Sequence, residues 1–489
     1  MKVDFEARLG ASNSALQGWT IEGCVPAVML NSNDSFDGRY SLLLSNPAPY
    51  KTTATLLITN LPNGYYSLTA WTKNSGEQRA CYLAGNGRLT SLPPLYTNWT
   101  QTVVRGISVT NGQCLIRISS EANASNWCRL DDLTLTNDNI PYNFLKGGDI
   151  SELPRLEHYG AKFYDGGVPM DCLQILKNHG CNLVRIRMYN DPGNPKYSPA
   201  NRLDPLGWQN PSRTLALCQR AKAMGFQIQL SIYYSDYWST DKPHDWAGLS
   251  FPALTNALYT YTRTNLMALT NAGVYPEYIS LGNEINGGIL VPDGANTNAA
   301  GWRNLAQLLN TGYAAVKSVL PAGQVVIHVS CVDSNTTCWF FDNLLSAGGK
   351  LDVIGCSYYP FWTRLATEQA RDHINRWQGN YGKPVLIMET GYNWATNSCD
   401  DWPGQLRDNG PESFPSTPLG QKNYLLKCFN DLKLVNNGNC IGVLYWDPIF
   451  ICVPGQGWEN GARNVVGNTT LFDFNGSTLP ALDAFQFNN

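Results

Sequence analysis

Residues 278–286 read YISLGNEIN, an apolar strand-like run that ends in an amide and a carboxylate. Helix-length amphipathic stretches, such as 211–224, 251–272, 302–319 and 420–434, alternate with runs of this kind. The predicted strands are 147–150, 183–188, 227–232, 278–282, 325–329, 353–357, 385–388 and 442–446. Eight βα units in roughly 340 residues predict a parallel (β/α)8 TIM barrel. A doubly wound sheet is the alternative, but no glycine-rich dinucleotide motif follows the first strand.

The first 138 residues have a different hydrophobic periodicity, one that is typical of β-strands. Short alternating strands, for example 41–44, 55–58, 66–71, 101–104, 114–118 and 130–135, are separated by turn sequences such as Asn63-Gly64 and Asn111-Gly112. This pattern predicts an antiparallel all-β sandwich of the jelly-roll type. We therefore expect a sandwich domain over 1–138, a linker at 139–145 that contains Pro141, and the barrel domain over 146–489.

Composition narrows the class of protein. The chain has 489 residues, a net charge of −3 and 15% charged residues, and this balance argues against nucleic acid or an anionic membrane as a partner. No apolar run approaches the ~20 residues of a membrane-spanning helix. Aromatic residues make up 11% of the chain, with 15 Trp and 25 Tyr. An aromatic-rich and amide-rich protein suits sugars, because pyranose rings stack on indole and their hydroxyls bond to amides.

Cysteine usage bears on the cellular compartment. Fourteen cysteines indicate an oxidising environment, and both Cys331–Cys338 and Cys440–Cys452 are spaced so that they can close disulfides. We expect a secreted, cell-surface or periplasmic protein whose signal peptide is absent from this sequence. We also expect a monomer.

Polar residues at the strand ends predict the active site, since barrels of this kind bind substrate at the C-terminal ends of their strands. Glu284 follows the fourth strand and Glu389 follows the seventh. The neighbouring candidates for substrate binding are Asn283, Arg185, Arg187, Asp236, His328, Tyr358, Tyr359, Trp446 and Asp447. Either glutamate alone is more often an ordinary loop residue; the pair on two strands favours chemistry.

Two carboxyl groups suit cleavage of a glycosidic bond. One must donate a proton to the leaving oxygen, and the other must attack or stabilise the anomeric carbon as an anion. Arg185 or Arg187 beside Glu389 would hold that residue as the anion. Glu284, which follows the amide of Asn283, would then be the acid.

The barrel half resembles glycoside hydrolase family 53, the endo-β-1,4-galactanases of clan A. The motifs are KGGDIS at 146–151, GAKFY at 160–164, VRIR at 184–187, YSD at 234–236 with Trp246, GNEI at 282–285, SYYPF at 357–361, ETGY at 389–392 and LFDFNG at 471–476. This resemblance implies hydrolysis of β-1,4-galactan and galactooligosaccharides without a cofactor. It also implies a retaining mechanism with Glu284 as acid/base, Glu389 as nucleophile and Trp246 in the substrate-binding region.

Two positions depart from the family pattern. Tyr233 stands where the family has His, and Asp447 stands where it usually has Glu. Both departures concern substrate binding rather than the catalytic pair. Another clan A β-glycanase, such as a mannanase or xylanase, is therefore the alternative enzyme, and a polysaccharide-binding protein without activity is the alternative class.

The N-terminal half resembles galactan-binding carbohydrate-binding modules of family 61, across residues 63–73 and 127–135. The resemblance implies galactose binding by Trp71, Arg79, Trp99 and Trp127, although burial between sheets is an equally good reading of any one of these tryptophans. Asp131 or Asp132, together with the turn at Asp37-Gly38, is a candidate structural Ca²⁺ site.

Overall fold

A computed structural model of the chain describes residues 1–3, 5–6, 16, 18–92, 94, 97–139, 141–193, 206–330, 332–457 and 464–486. The chain divides into two compact units. One consists of residues 1–144 with 422–438, and the other of residues 145–421 with 439–485. The predicted Cys331–Cys338 pair lies partly outside the described residues, because Cys331 is not among them.

The first unit contains two antiparallel sheets. Its strands are β1 (Lys2–Val3), β2 (Trp19–Gly23), β3 (Val28–Asn31), β4 (Ser41–Ser45), β5 (Tyr50–Ile58), β6 (Gly64–Asn74), β7 (Ala80–Gly85), β8 (Arg88–Ser91), β9 (Thr100–Val109), β10 (Cys114–Ala122) and β11 (Trp127–Asn137). One sheet has the order β3-β4-β11-β6-β9, with β1 also paired to β11, and the other has the order β2-β5-β10-β7-β8. The predicted all-β sandwich is confirmed.

Alternation along the strands builds the core of the sandwich. Successive strand residues point to opposite faces of a sheet, and on β11 Cys128 and Leu130 are fully buried while Trp127 and Arg129 between them are half-buried. Leu56 and Ile116 of the other sheet belong to the same apolar cluster. The inner faces therefore pack together, and the side chains of Trp127 and Arg129 lie on the outer face of their sheet.

The second unit contains the barrel. The closed parallel sheet consists of β12 (Leu145–Asp149), β15 (Leu183–Met188), β16 (Gln227–Ile232), β17 (Tyr278–Leu281), β20 (Gln324–Val329), β21 (Val353–Ser357), β22 (Val385–Glu389) and β23 (Cys440–Tyr445). Two short hairpins, β13 (Phe163–Asp165) with β14 (Val168–Met170) and β18 (Gly288–Ile289) with β19 (Gly294–Ala295), lie in its loops. All eight predicted strands are confirmed, with ends that differ by no more than a few residues.

Helices connect the barrel strands. They are α1 (Leu153–His158), α2 (Cys172–Asn178), α3 (Pro211–Ala223), α4 (Phe251–Asn271), α5 (Ala299–Val319), α6 (Ser334–Ser346), α7 (Pro360–Thr363), α8 (Thr367–Tyr381) and α9 (Pro418–Lys433). Side-chain caps start several of them. The Asn210 side chain accepts from the backbone N–H of Arg213 before α3, and that of Asn298 accepts from the N–H of Gly301 before α5.

An apolar cluster lies inside the barrel sheet. Its members include Leu145, Leu183, Val326, Leu386 and Leu444. No helix among the described residues is long and apolar enough to cross a membrane.

The structure changes one cysteine assignment. Cys452 forms a disulfide with Cys399, whereas Cys440 is buried inside β23. The predicted Cys440–Cys452 pair is therefore wrong. Strand spacing made that pair plausible, but a residue within the closed sheet is not free to meet the loop that follows the strand.

Candidate active site

Glu284 is placed by a turn at the end of β17. Gly282 has φ +86°, a left-handed conformation that glycine adopts without steric cost. A Cβ at Gly282 would also lie 2.5 Å from Ile285. Glu284 itself has φ +46°, which is uncommon for a residue with a side chain and is typical of functional positions. The turn carries the Glu284 side chain into the cavity at the mouth of the barrel.

Glu389 is the last residue of β22, and three neighbouring groups define its surroundings. Oε1 accepts a hydrogen bond from Nη1 of Arg185 at 2.5 Å, and Oε2 accepts one from the Tyr359 hydroxyl at 3.0 Å. Nη2 of Arg185 donates to Oδ1 of Asn283 at 2.6 Å. Both carboxylate oxygens thus receive a donor, and one of the donors carries a positive charge. This environment suits an ionised carboxylate with a fixed orientation.

The two glutamates are close enough to act on one bond. An oxygen of Glu284 lies within 4.8 Å of an oxygen of Glu389. Retaining glycosidases hold their carboxyl groups about 5–5.5 Å apart, and inverting enzymes need about 6.5–9.5 Å so that a water molecule fits between them. The spacing here belongs to the retaining class.

The electrostatic environments of the two carboxyl groups differ. Burial, together with the charge of Glu389, raises the pKa of Glu284 to about 7, although the Ser357 hydrogen bond and the Arg185 charge oppose this rise. Glu284 therefore keeps its proton in mildly acidic solution. A carboxylic acid beside a bound carboxylate is the pairing that glycosidic cleavage requires.

Aromatic rings surround the carboxyl pair. The cavity has a volume of about 480 Å³ and is lined by Trp238, Glu284, Ser330, Tyr359, Trp362, Glu389, Gln405 and Trp446. The Trp238 and Trp446 ring centroids are 5.8 Å apart, and the Trp362 side chain is 59% exposed. These rings offer apolar faces on which pyranose rings can stack.

Glu284, His328 and Glu389 together offer one nitrogen and two oxygen atoms within 4.8 Å of one another. A metal ion does not suit this group, because the guanidinium of Arg185 already binds Glu389 and would repel a cation. In addition, Nε2 of His328 is 2.9 Å from the Ser357 hydroxyl. The group is better described as a hydrogen-bonded acid/base site.

Of the predicted site residues, Glu284, Glu389, Tyr359 and Trp446 line this cavity, and Arg185 and Asn283 are buried behind it, where Arg185 hydrogen-bonds both Glu389 and Asn283. The others, Arg187, Asp236, Trp246, His328, Tyr358 and Asp447, are buried and do not line it. Their assignment to substrate binding stays a prediction. The structure gives each of them contacts within the protein.

Arg187 and Asp447 belong to a buried charge network. Nε of Arg187 lies 3.1 Å from Asp149 and its Nη2 lies 3.2 Å from Glu152, so Arg187 does not pair with Glu389. Burial and the nearby charge of Asp149 raise the pKa of Asp447 well above its usual value. Oδ1 of Asp447 accepts from the backbone N–H of Ile449.

Three more of these residues have defined contacts within the protein. The Asp236 carboxylate accepts from the backbone N–H groups of Asp191 and His244. The Trp246 ring packs edge-on against the Tyr261 ring, with centroids 5.7 Å apart. The Tyr358 hydroxyl donates to the Leu365 carbonyl. These contacts fix the position of each side chain near the mouth of the barrel.

Sequence reasoning missed Trp238, Trp362, Ser330 and Gln405 in the lining and did not assign a role to Ser357. Trp238 and Trp362 follow strand ends by several residues, and Gln405 lies further along the loop after β22, where no periodicity marks them; Ser330 directly follows β20. Tyr233, which departs from the family pattern, is buried with its hydroxyl 3.4 Å from Nη2 of Arg185. A systematic look at aromatic residues after each strand would have found Trp238 and Trp362.

The outer face of the sandwich sheet carries an aromatic cluster, defined as Phe36, Trp71, Trp99, Lys73 and Asp34. The Phe36 and Trp71 rings are stacked with centroids 3.9 Å apart, and Trp99 meets the edge of Phe36. Nζ of Lys73 lies 2.5 Å from Asp34 and 4.9 Å from the centre of the Trp99 ring. Two of the predicted tryptophans thus occupy one face.

The other predicted sandwich residues are placed differently. Trp127 lies under the guanidinium of Arg129, which is also 3.5 Å from Asp34, so Trp127 borders the aromatic cluster. Arg79 is exposed, and its backbone N–H bonds to Glu121 in the other sheet. The assignment of Arg79 to galactose binding stays a prediction.

The candidate calcium residues are already engaged. The Asp131 carboxylate accepts from the backbone N–H groups of Phe36, Asp37 and Asp132. Asp132 pairs with Lys2 at 2.7 Å. A cation would compete with these donors for the same lone pairs. The geometry indicates a structural role for Asp131 and Asp132 in place of the calcium site that we expected.

A closed parallel barrel with two glutamates at its C-terminal mouth, held at the retaining spacing and surrounded by aromatic rings, defines a retaining glycoside hydrolase. The chain belongs to glycosyl hydrolase family 53, because the model of that family matches residues 145–485.

Individual relatives of the chain are also members of this family or galactanases. The chain is 32% identical to an arabinogalactan endo-β-1,4-galactanase of Cellvibrio japonicus, over 66% of this chain and 87% of that protein. It is 28% identical to an endo-β-1,4-galactanase of Bacillus subtilis, over 71% of this chain and 86% of that protein. The solved family 53 catalytic domain of Ignisphaera aggregans is 33% identical with a TM-score of 0.66, and the match covers 72% of this chain and 97% of that domain.

Proposed function

We propose that the chain is a retaining endo-β-1,4-galactanase that hydrolyses galactan, with Glu389 as nucleophile and Glu284 as acid/base. The observation that carries the mechanism is the approach of a Glu284 oxygen to within 4.8 Å of a Glu389 oxygen at the mouth of the barrel. Galactan as substrate rests on family membership and on the galactanases among the relatives.

In the first step, a Glu389 oxygen attacks the anomeric carbon while Glu284 gives its proton to the leaving oxygen, and the C1–O bond breaks. In the second step, Glu284 takes a proton from water, which attacks the anomeric carbon and releases Glu389. Arg185 and Tyr359 hold Glu389 for attack throughout. No cofactor enters either step.

The runner-up is another clan A β-glycanase, since a mannanase or xylanase would use the same two glutamates. Release of reducing sugar from linear β-1,4-galactan, mannan and xylan, measured side by side, distinguishes these enzymes. We expect turnover of galactan alone, with retained anomeric configuration in the first product. Turnover of xylan or mannan in preference to galactan would overturn the substrate assignment, and inverted product would overturn the mechanism.

We also propose that the N-terminal sandwich is a carbohydrate-binding module for the same polysaccharide. Its support is the aromatic cluster, in which the half-exposed ring of Phe36 lies beside Trp71 and Trp99 with a charged pair at its edge. Stacking faces next to charged and polar groups are the ordinary elements of a sugar site. Tethered binding would raise the local concentration of the barrel on a polymer with many identical sites.

A monomeric protein outside the reducing cytosol completes the proposal. The location is supported by the Cys399–Cys452 disulfide, since structural disulfides persist in oxidising compartments. Loss of activity after reduction, and gel filtration at the mass of one chain, would test these two points.

A further inference from the structure

Glu284 has two carboxyl oxygens with different surroundings. The Ser357 hydroxyl lies 2.6 Å from Oε1, and Nε2 of His328 lies 2.9 Å from the same hydroxyl. No described residue hydrogen-bonds Oε2, although the Glu284 side chain lines the cavity. One oxygen is thus tied to a chain of hydrogen bonds that runs into the barrel, and the other is available to substrate.

The direction of these hydrogen bonds decides which oxygen carries the proton. Burial and the Arg185 charge lower the pKa of His328 well below its usual value, so the ring is neutral and has one N–H. In the first arrangement Nε2–H donates to Ser357, which donates to Oε1 of Glu284. In the second arrangement Ser357 donates to Nε2, and a protonated Oε1 donates to Ser357.

The surroundings of Nδ1 of His328 indicate which of the two arrangements is present. Nδ1 of His328 is buried, and no acceptor among the described residues lies within hydrogen-bond reach of it. The second arrangement puts the ring proton on Nδ1 and leaves a buried N–H without an acceptor. The first leaves only an unused lone pair there. Orphaned buried N–H groups are rarer than underused acceptors, so the first arrangement is favoured.

We propose that His328 and Ser357 are positioning residues that keep Oε1 of Glu284 as an acceptor, so that Oε2 alone carries the catalytic proton. The inference rests on the proposed role of Glu284 as the acid/base. The Oε2–H bond breaks as the proton passes to the leaving oxygen, and it forms again with a proton from water. Ser357 and His328 keep their protons through both steps.

Several charged or titratable groups face Glu284 from neighbouring elements. Glu389 ends β22, Arg185 lies on β15, His328 lies on β20 and Tyr359 follows β21. All of them are retained when Ser357 alone is replaced. A change in the titration of Glu284 in that variant therefore reports on the Ser357 hydrogen bond.

The test is the pH dependence of kcat/KM for Ser357→Ala in the full chain, measured on a galactooligosaccharide. In the proposed arrangement Ser357 stabilises ionised Glu284, so its loss moves the alkaline limb upward by about one pH unit. In the opposite arrangement Ser357 stabilises the protonated acid, so its loss moves the limb downward. A downward shift, or no shift, overturns the inference.

A second measurement determines the tautomer of His328 in the wild-type protein itself. The ¹⁵N spectrum of histidine-labelled wild-type protein, which has five histidines, shows which ring nitrogen of His328 is protonated. His328→Gln identifies the signal, and it retains an N–H donor toward Ser357, whereas His328→Leu does not. We expect protonated Nε2 and a smaller change of the alkaline limb for Gln than for Leu. Protonated Nδ1, or equal changes, would contradict the proposal.

Glu284→Gln separates failure of this inference from failure of the proposed function. If the alkaline limb survives in Glu284→Gln on a substrate with an activated leaving group, the acid/base assignment itself is wrong. If the limb disappears but Ser357→Ala moves it downward in the otherwise unchanged protein, only the assignment of the proton to Oε2 is wrong.

Discussion

Nη1 of Arg185 lies 2.5 Å from Oε1 of Glu389, and both side chains are almost completely excluded from solvent. The contact joins the second strand of the barrel to the seventh. It orients one carboxylate oxygen and leaves the other beside Tyr359. Because the pair is buried, its geometry is held by packing and does not depend on salt as a surface ion pair does.

Replacement of either catalytic carboxyl group should abolish most of the activity. We expect Glu284→Gln and Glu389→Gln each to lower kcat on galactan by at least about 10²–10⁴-fold with the fold intact. Azide should restore activity to Glu389→Ala, because a small anion can attack from the vacated position. Product analysis after azide rescue and circular dichroism check this prediction. Wild-type-like turnover in either Gln variant would refute it.

Arg185→Lys tests the orientation of the nucleophile. A lysine provides a single point charge in place of the planar guanidinium, so it cannot hold Glu389 and Asn283 together. We expect kcat to fall by about 10²-fold, in the range seen when one preorganised donor is lost. Arg364→Lys is the matched control, because Arg364 pairs with Asp408 on the surface and is 58% exposed. Equal losses in both variants would contradict a specific role for Arg185.

The raised pKa of Glu284 also affects stability. Unfolded Glu284 loses its proton near 4.5 and the folded residue near 7. Between these two pH values Glu284 is ionised in the unfolded state but still protonated in the folded state. The free energy of unfolding therefore falls as pH rises, and the full loss of about 3 kcal/mol is reached above pH 7. Glu284→Gln removes this cost. Its stability relative to wild type should therefore rise between pH 4 and pH 8 in thermal unfolding.

Glu121→Gln provides a control for that measurement. Half-buried Glu121 pairs with Lys51, which lowers the pKa of Glu121, so the stabilising contribution of this pair is present above the usual pKa and absent in acid. The Glu121 variant should lose a little relative stability as pH rises. A similar pH trend in both variants would show that the effect of Glu284→Gln is not electrostatic.

Trp362 should contribute to substrate binding. Its ring is 59% exposed at the cavity and is available for stacking on a galactose unit. We expect Trp362→Ala to raise KM for galactan several-fold, with a smaller effect on thermal stability. Trp339→Ala is the control, because the Trp339 ring is 50% exposed but does not line the cavity. If both substitutions change KM alike, Trp362 is not part of a binding subsite.

The aromatic cluster of the sandwich should matter for the polymer and not for short substrates. Trp71→Ala with Trp99→Ala in the full chain should lower retention on galactan in affinity electrophoresis and activity on insoluble galactan. Turnover of galactooligosaccharides should stay unchanged. Arg117→Ala, at an exposed position of β10 in the other sheet, should behave as wild type. A matching loss on oligosaccharides would mean that the cluster acts on catalysis.

The strand-and-helix order of both units followed from the sequence, because strand and helix periods are local properties of the chain. The sequence also identified Glu284 and Glu389 as the candidate catalytic residues. A carboxylate directly after an apolar strand must lie at the mouth of a parallel barrel, whatever the loops do. Closure of the sheet then brings strands four and seven near the same axis.

Only the tertiary structure shows which side chains contact one another at the mouth of the barrel. Arg185 and Arg187 both lie between apolar residues and point to the same side of β15, but they are about 6.6 Å apart along the strand. Only Arg185 is at the height of Glu389, while Arg187 meets Asp149 and Glu152. Trp238 and Trp362 reach the cavity from loops, whose paths depend on long-range packing. A local pattern carries no information about such distances.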